Sequence, residues 1–268
     1  MSKVILITGA STGLGATLAG YLAGKGHTVY ATSRHIEQGS AAYNVLNMDV
    51  GSEESIRRAV ETIVQRHGRI DVLINNAGLG IAGPIESVAA ADVQRVFDTN
   101  VLGVIRTSQA VLPSMRQQRS GLIINISSIG SETGLPYRGV YSASKAALDR
   151  ITEALRIELA PFGVQACYVQ PGGIRTDINK NRITAPLAQG NVYKESFERC
   201  YRLVNDSVSG GMAPEAFGPV VENIMVMKKV PRCIRVGKPL EKVSVLLKRL
   251  LPESIYEKMI ANHYKVYG

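Results

Sequence analysis

Tyr141 and Lys145 stand four residues apart in the segment Y-S-A-S-K, and Ser128 precedes the tyrosine by thirteen residues. Side chains at positions i and i+4 of a helix share one face, so the Lys145 ammonium can lie beside the Tyr141 phenol. A free phenol has a pKa of about 10, and a neighbouring cation lowers that pKa by favouring the ionised form. We therefore expect Tyr141 to exchange a proton near neutral pH. Ser128 follows an apolar run and can donate a hydrogen bond to a developing alkoxide.

A glycine-rich loop, T-G-A-S-T-G-L-G, runs from Thr8 to Gly15 between a predicted strand and a predicted helix. Gly9, Gly13 and Gly15 let the chain turn sharply and let a phosphate approach the backbone, while the helix start supplies free N–H groups. A glycine triplet alone is also typical of tight turns. Because the tyrosine, lysine and serine occur in the same chain, the loop predicts a site for hydride and proton transfer on a dinucleotide.

The end of the second predicted strand bears on which dinucleotide is bound. An Asp or Glu here would bond the ribose 2′-hydroxyl of NAD, but Ser33 and Arg34 occupy these positions. A guanidinium can pair with a 2′-phosphate, so NADP(H) is favoured over NAD(H). The alternative is that Arg34 is an ordinary surface residue. Asp49 and Val50 end the third predicted strand, where an adenine amine would be met. Asp49 could instead cap the next helix, although Ser52 is the better cap there.

Composition and length indicate a globular protein with one large α/β domain. The 268 residues are 45% hydrophobic, without a low-complexity stretch. No apolar run approaches the ~18 residues of a membrane span. The start Met1-Ser2-Lys3 leaves no room for a signal peptide, so we expect a cytoplasmic protein. The three cysteines are far apart without metal-binding spacing, so we expect reduced thiols and no metal site.

Positive charge is concentrated near the C-terminus. The net charge is +9, and residues 228–268 carry ten Lys/Arg against three Asp/Glu, a local surplus of +7. Such a segment can make weak peripheral contact with acidic membrane lipid, or with nucleic acid. The favoured interpretation is a solvated basic face on C-terminal helices. No nucleic-acid-binding motif accompanies the charge, so no nucleic-acid partner is expected.

Apolar runs alternate with amphipathic stretches along the whole chain. Strands are predicted at residues 4–8, 28–33, within 42–48, and at 70–75, 121–127, 164–170 and 233–236. Helices are predicted at residues 13–24, 53–67, 92–117, 140–160 and 214–229, with one or two short helices in 243–264. This alternation predicts a single-domain, doubly wound Rossmann fold over residues 1–268, with a parallel sheet and helices on both faces. Residues 174–205 are predicted to form a substrate lid and residues 237–268 a C-terminal helical extension.

These motifs together resemble the short-chain dehydrogenase/reductase family over roughly residues 3–178. The resemblance rests on T-G-A-S-T-G-L-G, Asp49-Val50, N-N-A-G at 75–78, Asn100, I-S-S at 126–128, Y-S-A-S-K at 141–145 and P-G-G-I-R-T at 171–176. It implies NAD(P)-dependent oxidation or reduction at a CH–OH or C=O group. Softer cues, among them V-Y-A-T-S-R and G-L-P-Y-R-G-V-Y, place the chain near hydroxysteroid and retinol dehydrogenase-like members.

The resemblance also implies roles for individual residues. Tyr141 would be the general acid–base, and Lys145 would lower its pKa and bind the nicotinamide ribose. Ser128 would hold the substrate oxygen, and Asn100 would position a water linking Lys145 to solvent. Asn75 would mainly brace the sheet.

The residues implied to bind the cofactor lie in the glycine loop, at the ends of the predicted strands and in the turns that follow them. They are Gly9, Ser11, Thr12, Gly13, Leu14, Gly15, Ser33, Arg34, Asp49, Val50, Asn76, Ala77, Gly78, Tyr141, Lys145, Pro171, Gly172, Ile174 and Thr176. Many NADPH-using relatives carry a basic residue just before the second glycine, where this chain has Thr12. The preference for NADP therefore rests largely on Arg34.

The expected substrate is a lipophilic ketone, aldehyde or secondary alcohol, steroid- or retinoid-like. Its binding wall is expected from residues 131–138, the lid and the C-terminal extension. The apolar and aromatic candidates are Leu135, Tyr137, Ile178, Ile183, Leu187, Val192, Tyr193 and Phe197. The resemblance further implies a homodimer or homotetramer through the helices at 92–117 and 140–160. Three alternatives stay open: a cofactor-sensing regulatory protein, an NAD-preferring alcohol dehydrogenase, and a peripheral membrane enzyme held by its basic end.

Overall fold

A seven-stranded parallel sheet forms the centre of the computed structural model, which describes residues 1–34, 42–176 and 181–267. The strands are β1 (Val4–Thr8), β2 (Thr28–Ser33), β3 (Asn44–Asn47), β4 (Val72–Asn75), β6 (Gly121–Ile126), β7 (Val164–Pro171) and β9 (Cys233–Val236). Their order across the sheet is β3-β2-β1-β4-β6-β7-β9. A second sheet pairs β5 (Ile81–Ala82) with β8 (Ile183–Thr184) in parallel.

Helices cover both faces of the seven-stranded sheet. They are α1 (Gly13–Gly24), α2 (Glu53–His67), α3 (Ala90–Phe97), α4 (Gly103–Gln117), α5 (Gly139–Leu159), α6 (Lys194–Ser209), α7 (Phe217–Val226), α8 (Pro239–Leu250) and α9 (Glu253–His263). Alternate residues of β1 enter two separate cores: Ile5 packs with α1 and α7, and Leu6 packs with α2 and α4. The predicted doubly wound α/β fold is therefore confirmed.

The strand order places the opening for a ligand. From β1 the sheet grows in one direction through β2 and β3, and in the other through β4 and β6. The connections after β1 and β4 therefore diverge at the carboxyl edge of the sheet, where α/β proteins bind ligands. The glycine loop follows β1 and the N-N-A-G turn follows β4, so the fold brings these two motifs together.

The long helix predicted over residues 92–117 is interrupted. Between α3 and α4 the chain makes a π-helical turn, Asp98–Leu102. This turn contains the buried Asn100, whose side chain bonds both backbone groups of Leu79. Apolar periodicity does not reveal such a turn, because one extra residue only shifts the helical face locally. The predicted interruption near Pro252 is confirmed, since α8 and α9 lie on either side of it.

Two further features of the described residues concern cysteine chemistry and membranes. Cys167, Cys200 and Cys233 are free thiols. Burial raises the pKa of the Cys167 thiol to about 12 and that of Cys200 to about 11, so neither is ionised near neutral pH. Of the helices described, none has the length and apolar character needed to cross a bilayer.

Candidate active site

The glycine loop is shaped by close contact with the turn after β4. Gly9 has a φ of +64°, and a Cβ at this position would lie 2.6 Å from the Cα of Ala77. A side chain here would therefore be strained and would collide with backbone. Asn76 ties the two segments together: its Nδ2 donates to the carbonyls of Thr8 at 3.0 Å and Gly9 at 2.8 Å. The loop therefore lines a cavity beside the start of α1, and we call it the glycine cradle because the free N–H groups of a helix start can hold a phosphate.

Gly15 has a different role from the other loop glycines. A Cβ on Gly15 would lie 2.5 Å from both the Asn76 Nδ2 and the Gly9 carbonyl oxygen. Its missing side chain lets α1 approach the loop, and Gly15 does not line the cavity described next. By contrast, Gly13 faces Thr176 across the opening, with 3.4 Å between its hypothetical Cβ and the Thr176 Cβ. Gly15 thus shapes the cradle from behind, and its predicted contact with the cofactor stays a prediction.

A cavity of about 1030 Å³ opens at the carboxyl edge of the sheet. It collects most of the residues predicted to bind the cofactor: Gly9, Ser11, Thr12, Gly13, Leu14, Ser33, Arg34, Asp49, Val50, Asn76, Ala77, Gly78, Tyr141, Lys145, Pro171, Gly172, Ile174 and Thr176. Arg34 is exposed at its edge. The predicted cap of α2 is confirmed as Ser52, whose Oγ accepts from the Ser55 N–H at 3.2 Å. Asp49 accepts from the Gly51 N–H at 2.9 Å and lines the cavity.

Tyr141 and Lys145 are buried together on one face of α5. Burial opposes ionisation of Tyr141, but the charges of Lys145 and Arg138 and the nearby Ser128 hydroxyl outweigh it and lower the pKa of the phenol. Burial likewise lowers the pKa of Lys145, against the opposing charges of Tyr141 and Asp149. Lys145 Nζ donates to the Ile126 carbonyl at 2.8 Å, which fixes its position. The three residues singled out by spacing therefore converge on one wall of the cavity.

Ser128 is held by the short helical turn after β6. Its Oγ accepts from the Gly130 N–H at 3.0 Å, and Ser128 lines the cavity. Because the oxygen accepts this bond, the hydroxyl proton remains available to a group in the cavity. The hydroxyl can therefore hold the oxygen of a bound ligand close to Tyr141.

The side chain of Asn100 is committed to the protein interior. Its Oδ1 accepts from the Leu79 N–H at 2.7 Å, and its Nδ2 donates to the Leu79 carbonyl at 2.9 Å and to Ser144 Oγ at 3.0 Å. Asn100 is fully buried and does not line the cavity. It braces the turn that carries Gly78 beside Lys145. Both Nδ2 hydrogens are therefore used, while Oδ1 keeps one lone pair. Its predicted role in a water relay remains a prediction.

Arg138 is a charged neighbour of the tyrosine that the motif analysis missed. Its guanidinium lies 4.9 Å from the centroid of the Tyr141 ring. Arg182 also lines the cavity, with its guanidinium 5.4 Å from the Tyr201 ring. Burial and the charge of Arg138 lower the pKa of Arg182. Only the position of Arg138, three residues before Tyr141 at the start of the helix, could have signalled its proximity.

A buried carboxyl group lies behind the cavity wall that carries Tyr141 and Lys145. Asp149, one helical turn after Lys145, accepts from Ser131 Oγ at 2.5 Å and from Gln170 Nε2 at 2.9 Å. Burial raises the pKa of Asp149 despite hydrogen bonds from Ser127, Ser131 and Gln170. Asp149 and its partners connect α5 with β7 and the turn after β6. No sequence motif predicted this buried polar group.

The predicted substrate wall is only partly correct. Leu135 and Ile183 line the cavity, while Tyr137 and Tyr193 line a smaller neighbouring one. The prediction for Phe197 is wrong, because its side chain is buried and its ring packs on Tyr137 and Tyr201 instead of lining a cavity. Leu187 and Val192 line neither cavity, and Val192 is 86% exposed. Ile178 lies outside the described residues.

Instead, much of the apolar lining comes from three helices in the last third of the chain. The lining residues are Leu203, Val204 and Val208 of α6, Leu240, Val245 and Leu247 of α8, and Tyr256, Met259 and Ile260 of α9. Glu241 of α8 reaches the loop after β7, where its Oε1 accepts from the Gly173 N–H at 2.8 Å. The C-terminal extension therefore closes one side of the cavity, as predicted, and makes that side mainly apolar, although Glu241, Ser244 and His263 also line it.

Comparison with known proteins agrees with this geometry. The chain is 39% identical over 265 residues to the 3-ketodihydrosphingosine reductase of Bacteroides thetaiotaomicron, covering 98% of each chain. It is 37% identical over 223 residues to human 17-beta-hydroxysteroid dehydrogenase type 1, covering 76% of this chain and 67% of the relative. A short-chain dehydrogenase from Streptomyces avermitilis superposes with a TM-score of 0.80 at 28% identity, covering 96% and 94% of the two chains. Other structures with this fold contain NAD or NADP.

A Rossmann sheet with a glycine cradle and a lysine-assisted tyrosine defines a nicotinamide-dependent oxidoreductase that transfers hydride. A sequence profile of the family described as short chain dehydrogenase matches residues 3–186. The chain belongs to this family. The resemblance stated from the motifs is therefore confirmed.

Proposed function

We propose that the protein uses NADPH to reduce the keto group of a long-chain apolar molecule such as 3-ketodihydrosphingosine. One observation carries this proposal: the buried Tyr141, with Lys145, Arg138 and Ser128 around it, lies on the wall of a cavity of about 1030 Å³. Helices α6, α8 and α9 line this cavity mainly with apolar side chains. Cavities of this size enclose most of a medium-sized ligand. The similarity to a 3-ketodihydrosphingosine reductase along nearly the whole chain supports the same substrate class.

The residues of the chain account for proton transfer and orientation. When bound, the nicotinamide cofactor supplies the hydride. The Ser128 hydroxyl donates a hydrogen bond to the carbonyl oxygen and holds it beside Tyr141. Tyr141 delivers its proton to this oxygen as negative charge develops there. Lys145 and Arg138 stabilise the phenolate that remains. Burial of Tyr141 and Lys145 keeps bulk water away from the transfer.

The preference for NADP over NAD belongs to this proposal and depends on Arg34. Arg34 is exposed at the end of β2 and lines the cavity next to Ser33. A guanidinium at this place can pair with a 2′-phosphate, and Ser33 and Arg34 stand where a carboxylate would bond a free 2′-hydroxyl. A preference for NAD is the alternative outcome of the same assay.

A steroid is the second candidate substrate. It is supported by the similarity to 17-beta-hydroxysteroid dehydrogenase type 1. A rigid ring system and a flexible alkyl chain differ in how they fill an apolar cavity, so a substrate panel separates them. A third possibility, a cofactor-sensing protein, is disfavoured because a sensor needs no acid–base pair at the nicotinamide site.

The decisive experiment measures NADPH oxidation with 3-ketodihydrosphingosine, a 17-ketosteroid and a short water-soluble ketone. We expect turnover of all three ketones, with the highest kcat/KM for the long-chain ketone. Tyr141→Phe is the matched control, because it keeps the ring and removes only the hydroxyl. Preference for the steroid would replace the proposed substrate class. Nucleotide binding without turnover of any ketone would overturn the enzymatic proposal in favour of a sensor.

We also propose a homodimer that packs through α4 and α5, as the family resemblance implies. Ile157, near the end of α5, is 77% exposed and would be covered in such a dimer. Light scattering of the parent protein and of Ile157→Glu tests this. A dimer that the substitution dissociates supports the proposal, and a monomeric parent contradicts it.

A further inference from the structure

The outer face of α8 is apolar and exposed. Leu240, Val243, Leu246 and Leu250 are 74%, 44%, 54% and 69% exposed, respectively. Their spacing places them along one side of the helix. A surface helix normally turns such a side toward the core, but the buried residue of α8 is Val245, on another side. We call Val243, Leu246 and Leu250 the α8 apolar face.

Positive side chains border this face. Lys242 and Arg249 lie four residues before and three residues after Leu246, and therefore flank it on the helix surface. Lys248 donates to the Glu132 carbonyl, and Arg249 lies 4.0 Å from the Glu132 carboxylate, so both also attach α8 to the body of the protein. Within the described part of the chain, Lys242 has no ion-pair partner, whereas Arg249 lies near Glu132. The border is therefore basic and only partly neutralised.

The apolar surface is continuous with the substrate cavity. Leu240 and Leu247 line the cavity. Val243 lies between them in sequence and on the same side of the helix, and Leu250 continues that side three residues beyond Leu247. An apolar molecule at the outer surface of α8 would therefore meet the cavity along an uninterrupted apolar path.

We propose that the α8 apolar face docks onto the surface of an anionic lipid bilayer, from which the lipophilic substrate enters the cavity. An amphipathic helix with exposed Leu and flanking Lys/Arg is the type that lies in the bilayer interface. Charge selects the membrane over a second copy of the chain. A symmetric contact would bring the basic borders of two α8 helices together, and like charges would repel. Anionic head groups would neutralise the same border. The route of the substrate rests on the proposed function, whereas the docking itself does not.

Vesicle flotation with the full-length protein tests the docking without substrate or cofactor. The vesicles contain either phosphatidylcholine alone or phosphatidylcholine with phosphatidylglycerol. The test variant is Leu246→Glu/Leu250→Glu, at two exposed positions that do not line the cavity. The matched control is Val192→Glu/Val226→Glu, which adds the same charge at positions that are 86% and 71% exposed.

We expect the parent and the control to float with anionic vesicles and to dissociate as salt is added. The test variant should bind at least about tenfold more weakly, because it loses two inserting side chains and gains two negative charges. Turnover of a short soluble ketone without vesicles should be equal in all three proteins. This activity reports on the proposed function separately from docking.

Three results would overturn the docking. The first is that the parent ignores anionic vesicles. The second is that the parent and the test variant float equally. The third is that light scattering shows the test variant breaking an oligomer while its vesicle binding is unchanged, which would assign the face to a second copy.

Discussion

Replacing Arg138 by methionine should slow alcohol oxidation by removing a charge that stabilises the Tyr141 phenolate. The guanidinium lies 4.9 Å from the ring over which the phenolate charge is partly delocalised. Two unit charges at this separation attract by roughly 3 kcal/mol at an effective dielectric constant of about 20, and by about 1 kcal/mol in bulk water. Arg138 is half-buried, so its contribution lies between these limits. Losing this much electrostatic stabilisation of the phenolate lowers kcat/KM roughly five- to a hundredfold at pH values where the phenol is mostly protonated.

The assay is the pH dependence of kcat/KM for oxidation of an alcohol by NADP⁺. In the parent, Arg138 helps to lower the pKa of Tyr141. Oxidation needs the phenolate as base, so the rate rises with pH and levels off once the phenol is ionised. In Arg138→Met the pKa of Tyr141 rises, so the rising limb should move to higher pH and meet the parent only at the alkaline plateau. Arg138→Lys keeps a positive charge and should lie near the parent.

A structural explanation for the same loss can be excluded by two controls. Across the described residues, the Arg138 side chain forms neither a hydrogen bond nor an ion pair, so its removal leaves no buried group unsatisfied. The melting temperature and the affinity for NADP⁺ should therefore change little. Superimposed pH profiles for the parent and Arg138→Met would refute the electrostatic reasoning. An equal fractional loss at every pH would point to misplacement of Tyr141 instead.

Three further substitutions test the site. Tyr141→Phe should lower kcat by about 10²–10⁴-fold, the usual contribution of a positioned acid–base group. NADPH affinity measured by fluorescence should stay near the parent value. Retained turnover would show that Tyr141 is not the general acid–base. Arg34→Asp should shift the ratio of kcat/KM for NADPH to kcat/KM for NADH toward NADH by at least about tenfold, because a charge-assisted hydrogen bond is worth roughly 1.5–3 kcal/mol. An unchanged ratio would contradict a role of Arg34 in cofactor selection. Gly15→Ala should lower the melting temperature, because its Cβ would lie 2.5 Å from the Gly9 carbonyl oxygen. The control Gly20→Ala, in the same helix, meets nothing within 4 Å and should stabilise the folded protein by up to about 1 kcal/mol. Equal melting temperatures of the two variants would show that the loop relaxes around the Gly15→Ala side chain.

Most of the sheet could be predicted because its five inner strands are largely buried on both faces and read as apolar runs. The predictions for β1, β2 and β9 agree with the structure at both ends. The small β5–β8 sheet escaped because two-residue strands carry no periodicity. The π-helical turn at Asn100 escaped because side-chain bonds to Leu79, distant in sequence, stabilise it.

The convergence of Tyr141, Lys145 and Ser128 on one cavity wall was predictable for a different reason, because their geometry is local. The four-residue spacing of Tyr141 and Lys145 sets their shared helix face in any fold. The substrate wall is a tertiary property, and apolar side chains that line a cavity look the same in sequence as those that pack inside a lid. Phe197 illustrates the problem, since its place among Tyr137 and Tyr201 depends on how α6 packs.

The carboxylate of Glu241 links the two halves of the cavity mechanically. It holds the Gly173 N–H on the loop beside the cofactor cradle, while its own helix presents Leu240 and Leu247 to the apolar side. Any displacement of α8 that widens the entrance must stretch this bond or drag the loop along. We therefore expect the binding of nucleotide and the binding of substrate to be coupled. We expect initial-velocity kinetics to show a compulsory order, in which the nucleotide binds first. Bound nucleotide would hold the Gly173 loop, and through Glu241 the helix α8, in place before the substrate enters the cavity.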